Sequence, residues 1–205
     1  MKKAILLSCL ALAACFNPGK RGGDANLAVY DLGPAVAGQS AVTATPPLAL
    51  EVRAPSWLDS PGIRYRLAYA EPGRLLSYAQ ARWAASPAAL VQQRLVQQLG
   101  LAPVGQGGAA CLLRIDLDEF SHIFSSPRDS LGVLQARAAV FDRSRSKLAE
   151  QTVKIEKPAA SPDSQGGRLA LAAAVDQLGS DLGRWQAQLA GSGRLKDCET
   201  GPRRK

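Results

Sequence analysis

Four cysteines, one histidine and a few closely spaced carboxylates are the residues of this 205-residue chain that could bond covalently, ligate or move a proton. Cys15 has the most specific setting, since the tetrad Leu12-Ala13-Ala14-Cys15 places small residues at a cleavage site directly before a thiol. In a bacterial lipoprotein that thiol takes a diacylglyceryl group, the preceding peptide bond is cut and the new amine is acylated, commonly with palmitate-like chains. One acyl chain holds a protein marginally, whereas two anchor it at about 0.8 kcal/mol per buried methylene. Cys9 would leave with the signal, so Cys111 and Cys198 remain. In an oxidising compartment a disulfide between them is expected, two separate thiols being the alternative.

The other chemistry is sparse. His122 is the lone histidine, between Phe120 and Phe124 at the expected end of a strand, where a structural role outweighs a catalytic one. No Gly-x-Ser-x-Gly elbow offers it a nucleophile. Asp116 and Asp118 are spaced for one face of a strand and could hold a cation, but a solvated face explains them as well. The glycines around Gly105-Gln106-Gly107-Gly108 and Gly166-Gly167 lack the Lys-Ser/Thr of a phosphate loop. No ligand spacing suggests a metal, so the reading is a non-enzyme without cofactor.

Lys2 and Lys3 precede an apolar run from Ala4 to Ala14, too short for a bilayer that needs roughly 20 apolar residues. Residues 1–14 are therefore expected to be an export signal and 15–26 a lipidated, glycine-rich tether. Phe16 stands where an Asp would retain a lipoprotein at the inner membrane, which directs the expectation to the periplasmic face of the outer membrane. Loss of Lys2 and Lys3 takes the formal charge from +8 to +6. Residues 192–205 read as a basic tail ending Arg203-Arg204-Lys205, a solvated end rather than a membrane contact. Nucleic acid is not an expected partner in that compartment.

The elements that must position these residues follow from periodicity. Strands are expected at 27–32, at 48–53 where Leu48, Leu50 and Val52 alternate with polar positions, and in a hairpin over 63–80. Ser86-Pro87 starts an amphipathic helix, the Ser capping free amides, with Val91, Leu95 and Leu99 inside, Gln92, Gln93, Gln97 and Gln98 outside, and Gly100 closing it. Strands 111–120, 131–141 and 148–156 form a meander with polar links at 121–130 and 142–146. After a linker over 158–167, Leu171, Val175, Leu178, Leu182, Trp185 and Leu189 make the stripe of a terminal helix that docks on its own sheet. The expected fold is a single α+β domain over 27–191, a mixed or antiparallel sheet covered by two amphipathic helices.

Three pieces carry a resemblance to a known family. They are Trp57-Leu58-Asp59-Ser60-Pro61 with Ile63, the hairpin end Tyr78-Ala79-Gln80-Ala81-Arg82-Trp83-Ala84, and the leucine-bearing helix after Ser86-Pro87. Together they make the chain resemble the auxiliary lipoproteins of ABC-type transport systems, the PqiC-like group associated with Mce-type lipid transporters. The resemblance implies an outer-membrane lipoprotein working with a permease, an ATPase and an Mce-domain periplasmic protein to move phospholipid or other hydrophobic molecules. Self-association into a homo-oligomer is compatible with it. The motif residues Trp57, Asp59, Pro61, Tyr78, Arg82 and Trp83 are then structural or partner contacts, with the large rings suited to the core and Arg82 in need of a counter-charge such as Asp59. The competing reading is an assembly lipoprotein for a secretin or barrel.

Overall fold

Alternation of apolar and polar side chains produces strands buried on one face, and in the computed structural model Leu48, Leu50 and Val52 are inward as that pattern requires. The structure describes residues 27–34, 48–106 and 108–199. Cys15, the expected signal (1–14) and tether (15–26), and the basic Arg203-Arg204-Lys205 end all lie outside the described residues. In chain order the elements are β1 (Ala28–Tyr30), β2 (Leu48–Arg53), β3 (Gly62–Leu67), β4 (Leu76–Trp83), α1 (Pro87–Leu99), β5 (Ala102–Pro103), β6 (Cys111–Phe124), β7 (Ser130–Phe141), β8 (Lys147–Pro158), α2 (Ser164–Gly191) and α3 (Lys196–Glu199).

The eight described strands form one mixed sheet. β3/β4, β6/β7 and β7/β8 pair antiparallel, while β1/β4, β2/β5, β2/β6 and β3/β6 pair parallel. The long strand β6 is the hub. One side of it carries β7 along its length, and the other is shared by β2 at 111–116 and β3 at 122–124. The expected α+β architecture is therefore present, with the short α3 added to the two amphipathic helices.

A bulge corrects the reading of β6. The register with β7 slips between Leu117 and Glu119, leaving Asp118 as the extra residue. Upstream of it Cys111, Leu113, Ile115 and Leu117 are buried, and downstream Phe120, His122 and Phe124 take over, so the inward phase changes from odd to even numbers. The strand runs through Phe124, and the polar link expected over 121–130 shrinks to residues 125–129.

The helix termini obey local chemistry, with one exception to expectation. Ser86 has extended backbone ahead of Pro87, but its side chain makes no capping bond; only its carbonyl accepts, from Leu90 N. Gly100 closes α1 with φ 62°, a left-handed conformation that suits glycine. Asp163 caps α2 by accepting from Gly166 N at 2.9 Å, so the helix begins at Ser164 and residues 164–167 belong to it, not to a linker. Leu171, Val175, Leu178, Leu182 and Leu189 are buried and Trp185 partly so. At Gly132 of β7 a Cβ would stand 2.7 Å from the Ala170 backbone, so glycine lets α2 lie directly on the sheet.

Where α1 meets α2 the core is polar, and two residues depart from the amphipathic reading. Arg94, 3% exposed, donates to the carbonyls of Leu32 (2.6 Å), Gly33 (2.6 Å) and Pro34 (3.1 Å) and pairs with Asp176 Oδ1 at 3.1 Å. Gln98 is buried instead of facing out, and its Nε2 donates to the same Asp176 oxygen at 2.8 Å. One guanidinium thereby clasps the segment after β1 to both helices.

The expected C-terminal tail (192–205) begins inside the folded body, because Leu195 and Cys198 are buried. Cys111 and Cys198 are joined by a disulfide, their Cα atoms 5.2 Å apart, which fastens the last helix to the first residue of β6.

Candidate functional site

Two groups of residues could have carried function, one interior and one on the surface. The bulge at Asp118 turns His122 into the core, where it is fully buried and its Nδ1 shares a 2.8 Å hydrogen bond with the Tyr78 hydroxyl. Tyr65 stacks on Tyr78 at 4.7 Å between ring centroids, and Phe124 lies 4.4 Å from the imidazole. Gly167, in the first turn of α2, is pressed on the ring so closely that a Cβ there would stand 2.4 Å from Nδ1.

Burial sets the protonation of this cluster. It lowers the His122 pKa to about 4, against a weaker opposing pull from Asp163, and it raises that of Tyr78. Asp163 itself is held below the usual carboxylate range by the bonds from Gly166 N and Ser161 Oγ. At neutral pH His122 is thus an uncharged ring with Nε2 buried and unpartnered. Ser121, its neighbour in the chain, points to the opposite face of the strand and supplies no nucleophile to it. A neutral, enclosed imidazole packed among aromatics acts as a wedge between sheet and helix.

The carboxylates read as a potential cation pair share the outer face of β6 and line one shallow pocket with Arg53 and Arg137, and each is paired with an arginine. Asp116 pairs with Arg114 at 3.2 Å, and Asp118 with Arg137 at 3.3 Å. Among the described residues no three metal-capable side chains gather. No described helix is long and apolar enough to cross a membrane.

The motif residues divide between interior and surface. Trp83 is 1% exposed and packs 5.9 Å from the Phe120 ring, and Tyr78 belongs to the His122 cluster. Trp57, by contrast, is 48% exposed and fills no core position, and Asp59 and Pro61 are also exposed. The turn that presents Trp57 is closed by Leu58 N and Asp59 N donating to Pro55 O, and Trp83 N donates to Pro61 O at 2.7 Å. Arg82 is exposed on β4, opposite Val29 of β1 and Gly62 of β3, and no hydrogen bond joins it to Asp59 among the described residues. A side chain facing water needs no counter-charge, which removes the reason for expecting that pair. Trp57, Asp59, Pro61, Arg82 and Val29 are thus all exposed, while Trp83 anchors the end of β4 inside.

Sequence reasoning missed Arg94. Its signal was present as a charged residue between Val91 and Leu95 on the apolar side of α1, but its partner is 82 positions away on α2.

The fold is that of an α+β domain, a mixed sheet forked at one long strand and crossed by two helices. The sequence fits the family of ABC-type transport auxiliary lipoprotein components over residues 30–183, and the chain belongs to that family. A crystal structure of a Xanthomonas campestris protein is similar in fold, at TM-score 0.65 and 20% identity, covering 80% of this chain and 98% of the other. A second solved structure, of an uncharacterized protein, aligns at TM-score 0.60 and 13% identity over 77% of this chain and 97% of its own. Both likenesses are of fold alone. No curated protein matches the sequence.

Proposed function

We propose that the protein is an outer-membrane lipoprotein, anchored through Cys15 on the periplasmic face, that serves as a non-catalytic adaptor of an Mce-type transport system moving phospholipid or other hydrophobic molecules. Its partners in this reading are an Mce-domain periplasmic protein and, through it, an ABC permease and ATPase. Family membership supports the transport role, and the observation that carries the adaptor role is the exposure of Trp57 in the motif itself. A large indole held in solvent by a fixed turn, two residues before exposed Asp59, has the character of an interface hot spot. The lone histidine is buried and uncharged, which supports binding over covalent chemistry.

The experiment is a photo-crosslinking probe at position 57 of the full-length lipoprotein in intact envelopes, followed by solubilisation and mass spectrometry. The expected catch is an Mce-domain protein, and Trp57→Ala should reduce its recovery without the probe about tenfold, the loss typical of an aromatic anchor. Capture of a secretin or barrel in place of an expressed Mce-domain protein would replace the transport adaptor by the assembly factor.

A further inference from the structure

The outer face of the sheet, opposite the helices, carries several arginines that are neutralised in place. Arg53 pairs with Glu51, Arg114 with Asp116, Arg137 with Asp118, and Arg66 of β3 with Glu119 at 3.0 Å. Arg64 and Arg82 depart from this rule. Neither has a carboxylate within ion-pair distance among the described residues, and Asp59, the acid closest to Arg64 in the chain, pairs with neither.

Strand register brings these two together. Buried Ile63 puts Gly62 and Arg64 on the outer face of β3, and buried Ala81 and Trp83 put Arg82 on the outer face of β4, directly opposite Gly62. Opposed Cβ positions of antiparallel strands lie about 4.5–5.5 Å apart. The position that a Cβ would take on Gly62 is 3.7 Å from Arg64 Nε and 2.9 Å from Ser77 Oγ. Arg82 therefore starts within a side chain's length of the Arg64 guanidinium, with no side chain at position 62 between them.

Hydrogen bonds fix Arg64 in this place. Its Nη1 donates to Ser77 Oγ at 2.6 Å and its Nη2 to Ser60 Oγ at 2.7 Å, while Nε is buried without a partner. Each hydroxyl accepts from the guanidinium and keeps its own proton to give, since neither serine has another side-chain bond among the described residues. Two guanidiniums and two hydroxyl protons thus make a group of donors in which no carboxylate takes part.

We propose that Arg64, Arg82, Ser60 and Ser77 form a binding site for a phosphate group. Water can satisfy exposed Arg82 alone, but the Arg64 charge is partly withdrawn from water and gains from an anion that replaces the lost hydration. A carboxylate presents two oxygens, fewer than the donor groups gathered here, whereas a phosphate surrounds its charge with four and is commonly held by Arg and Ser together. The phosphodiester of a lipid headgroup and free inorganic phosphate share this chemistry. The site stands on these side chains alone and not on the transport role.

The test titrates the full-length lipoprotein, in a phosphate-free non-ionic detergent at neutral pH and fixed ionic strength, with inorganic phosphate and with glycerophosphoglycerol, a deacylated lipid headgroup. Nitrogen-edited NMR follows the Nε–H signals of Arg64 and Arg82. The expected result is a saturable shift at both arginines with at least one probe; preference for the diester identifies a headgroup as the source, and preference for inorganic phosphate the free anion. Arg82→Gln should weaken binding about tenfold, the loss of one charge-assisted hydrogen bond. Arg137→Gln removes the same formal charge from a paired arginine on the same face and should leave the affinity within about twofold. Both side chains are exposed, so folding is preserved. Absence of a saturable shift with either probe, an unchanged affinity in Arg82→Gln, or equal weakening by the two variants would each overturn the proposal.

Discussion

Replacing Arg94 by methionine should be among the most destabilising changes available on α1, and the structure says how much and why. The guanidinium satisfies three consecutive carbonyls, of Leu32, Gly33 and Pro34, and the carboxylate of Asp176. Methionine fills similar volume but strands the three carbonyls and leaves the Asp176 carboxylate with only the Gln98 amide, and breaking a buried charge pair from one side costs about 3–5 kcal/mol. With a urea dependence of about 2 kcal/mol per molar, the unfolding midpoint of Arg94→Met should fall by about 2 M. Much of the cost lies in the abandoned carboxylate, so Arg94→Met combined with Asp176→Asn should recover about 1–2 kcal/mol, because the amide oxygen still accepts from Gln98 and carries no charge. Hydrogen exchange adds location: amides of β1 should exchange faster in the single variant while those of β7 and β8 hold. An Arg94→Met protein within 1 kcal/mol of the parent, or a double variant no more stable than the single, would refute the clasp.

The remaining expectations concern the contacts of α2 with the sheet and with α1. His122 titrates near 4 when folded and near 6.5 when unfolded, so the unfolded chain takes up a proton first as pH falls. Stability should be complete above pH 6.5 and decline by up to about 3 kcal/mol toward pH 4, and His122→Gln should flatten that slope in pH-dependent urea melts. Asp163 has a lowered pKa, so its contribution is lost only at more acid pH and does not mimic this window. Gly167→Ala, with its methyl driven into the imidazole, should lower thermal stability by the equivalent of about 2 kcal/mol or more. Gly183→Ala, whose methyl would meet only Leu99 at 3.4 Å, should leave stability unchanged or raise it by up to about 1 kcal/mol.

How much of this was legible depends on whether a pattern is local. The β2 strand, the Pro87–Leu99 helix and the stripe from Leu171 to Leu189 follow from repeats of two or three to four residues, and the structure has them where the spacing puts them. The second half of β6 did not follow, because the bulge at Asp118 changes the phase and makes Ser121-His122 look like a polar link. Gln98 looked like a surface residue and Arg94 was passed over, because Asp176, which makes their burial tolerable, comes from another helix. At the surface the residues of the motif were legible but not their exposure. Trp83 is inside because it alternates with exposed Arg82 on β4, in phase with buried Ala81, whereas Trp57 sits in a turn where no such alternation applies.

The disulfide gives the fold a dependence on the order in which the chain is delivered. Cys111 opens the hub strand and Cys198 lies 87 positions later, so the hub can gain its covalent partner only after the meander and the long terminal helix have been made. Until then the Cys111 thiol, at the head of β6 beside β2, is without its disulfide partner. A chain interrupted before its last helix would therefore carry an unpaired thiol as a mark at the centre of its sheet. The completed protein has that mark erased, with both sulfurs sealed in the core.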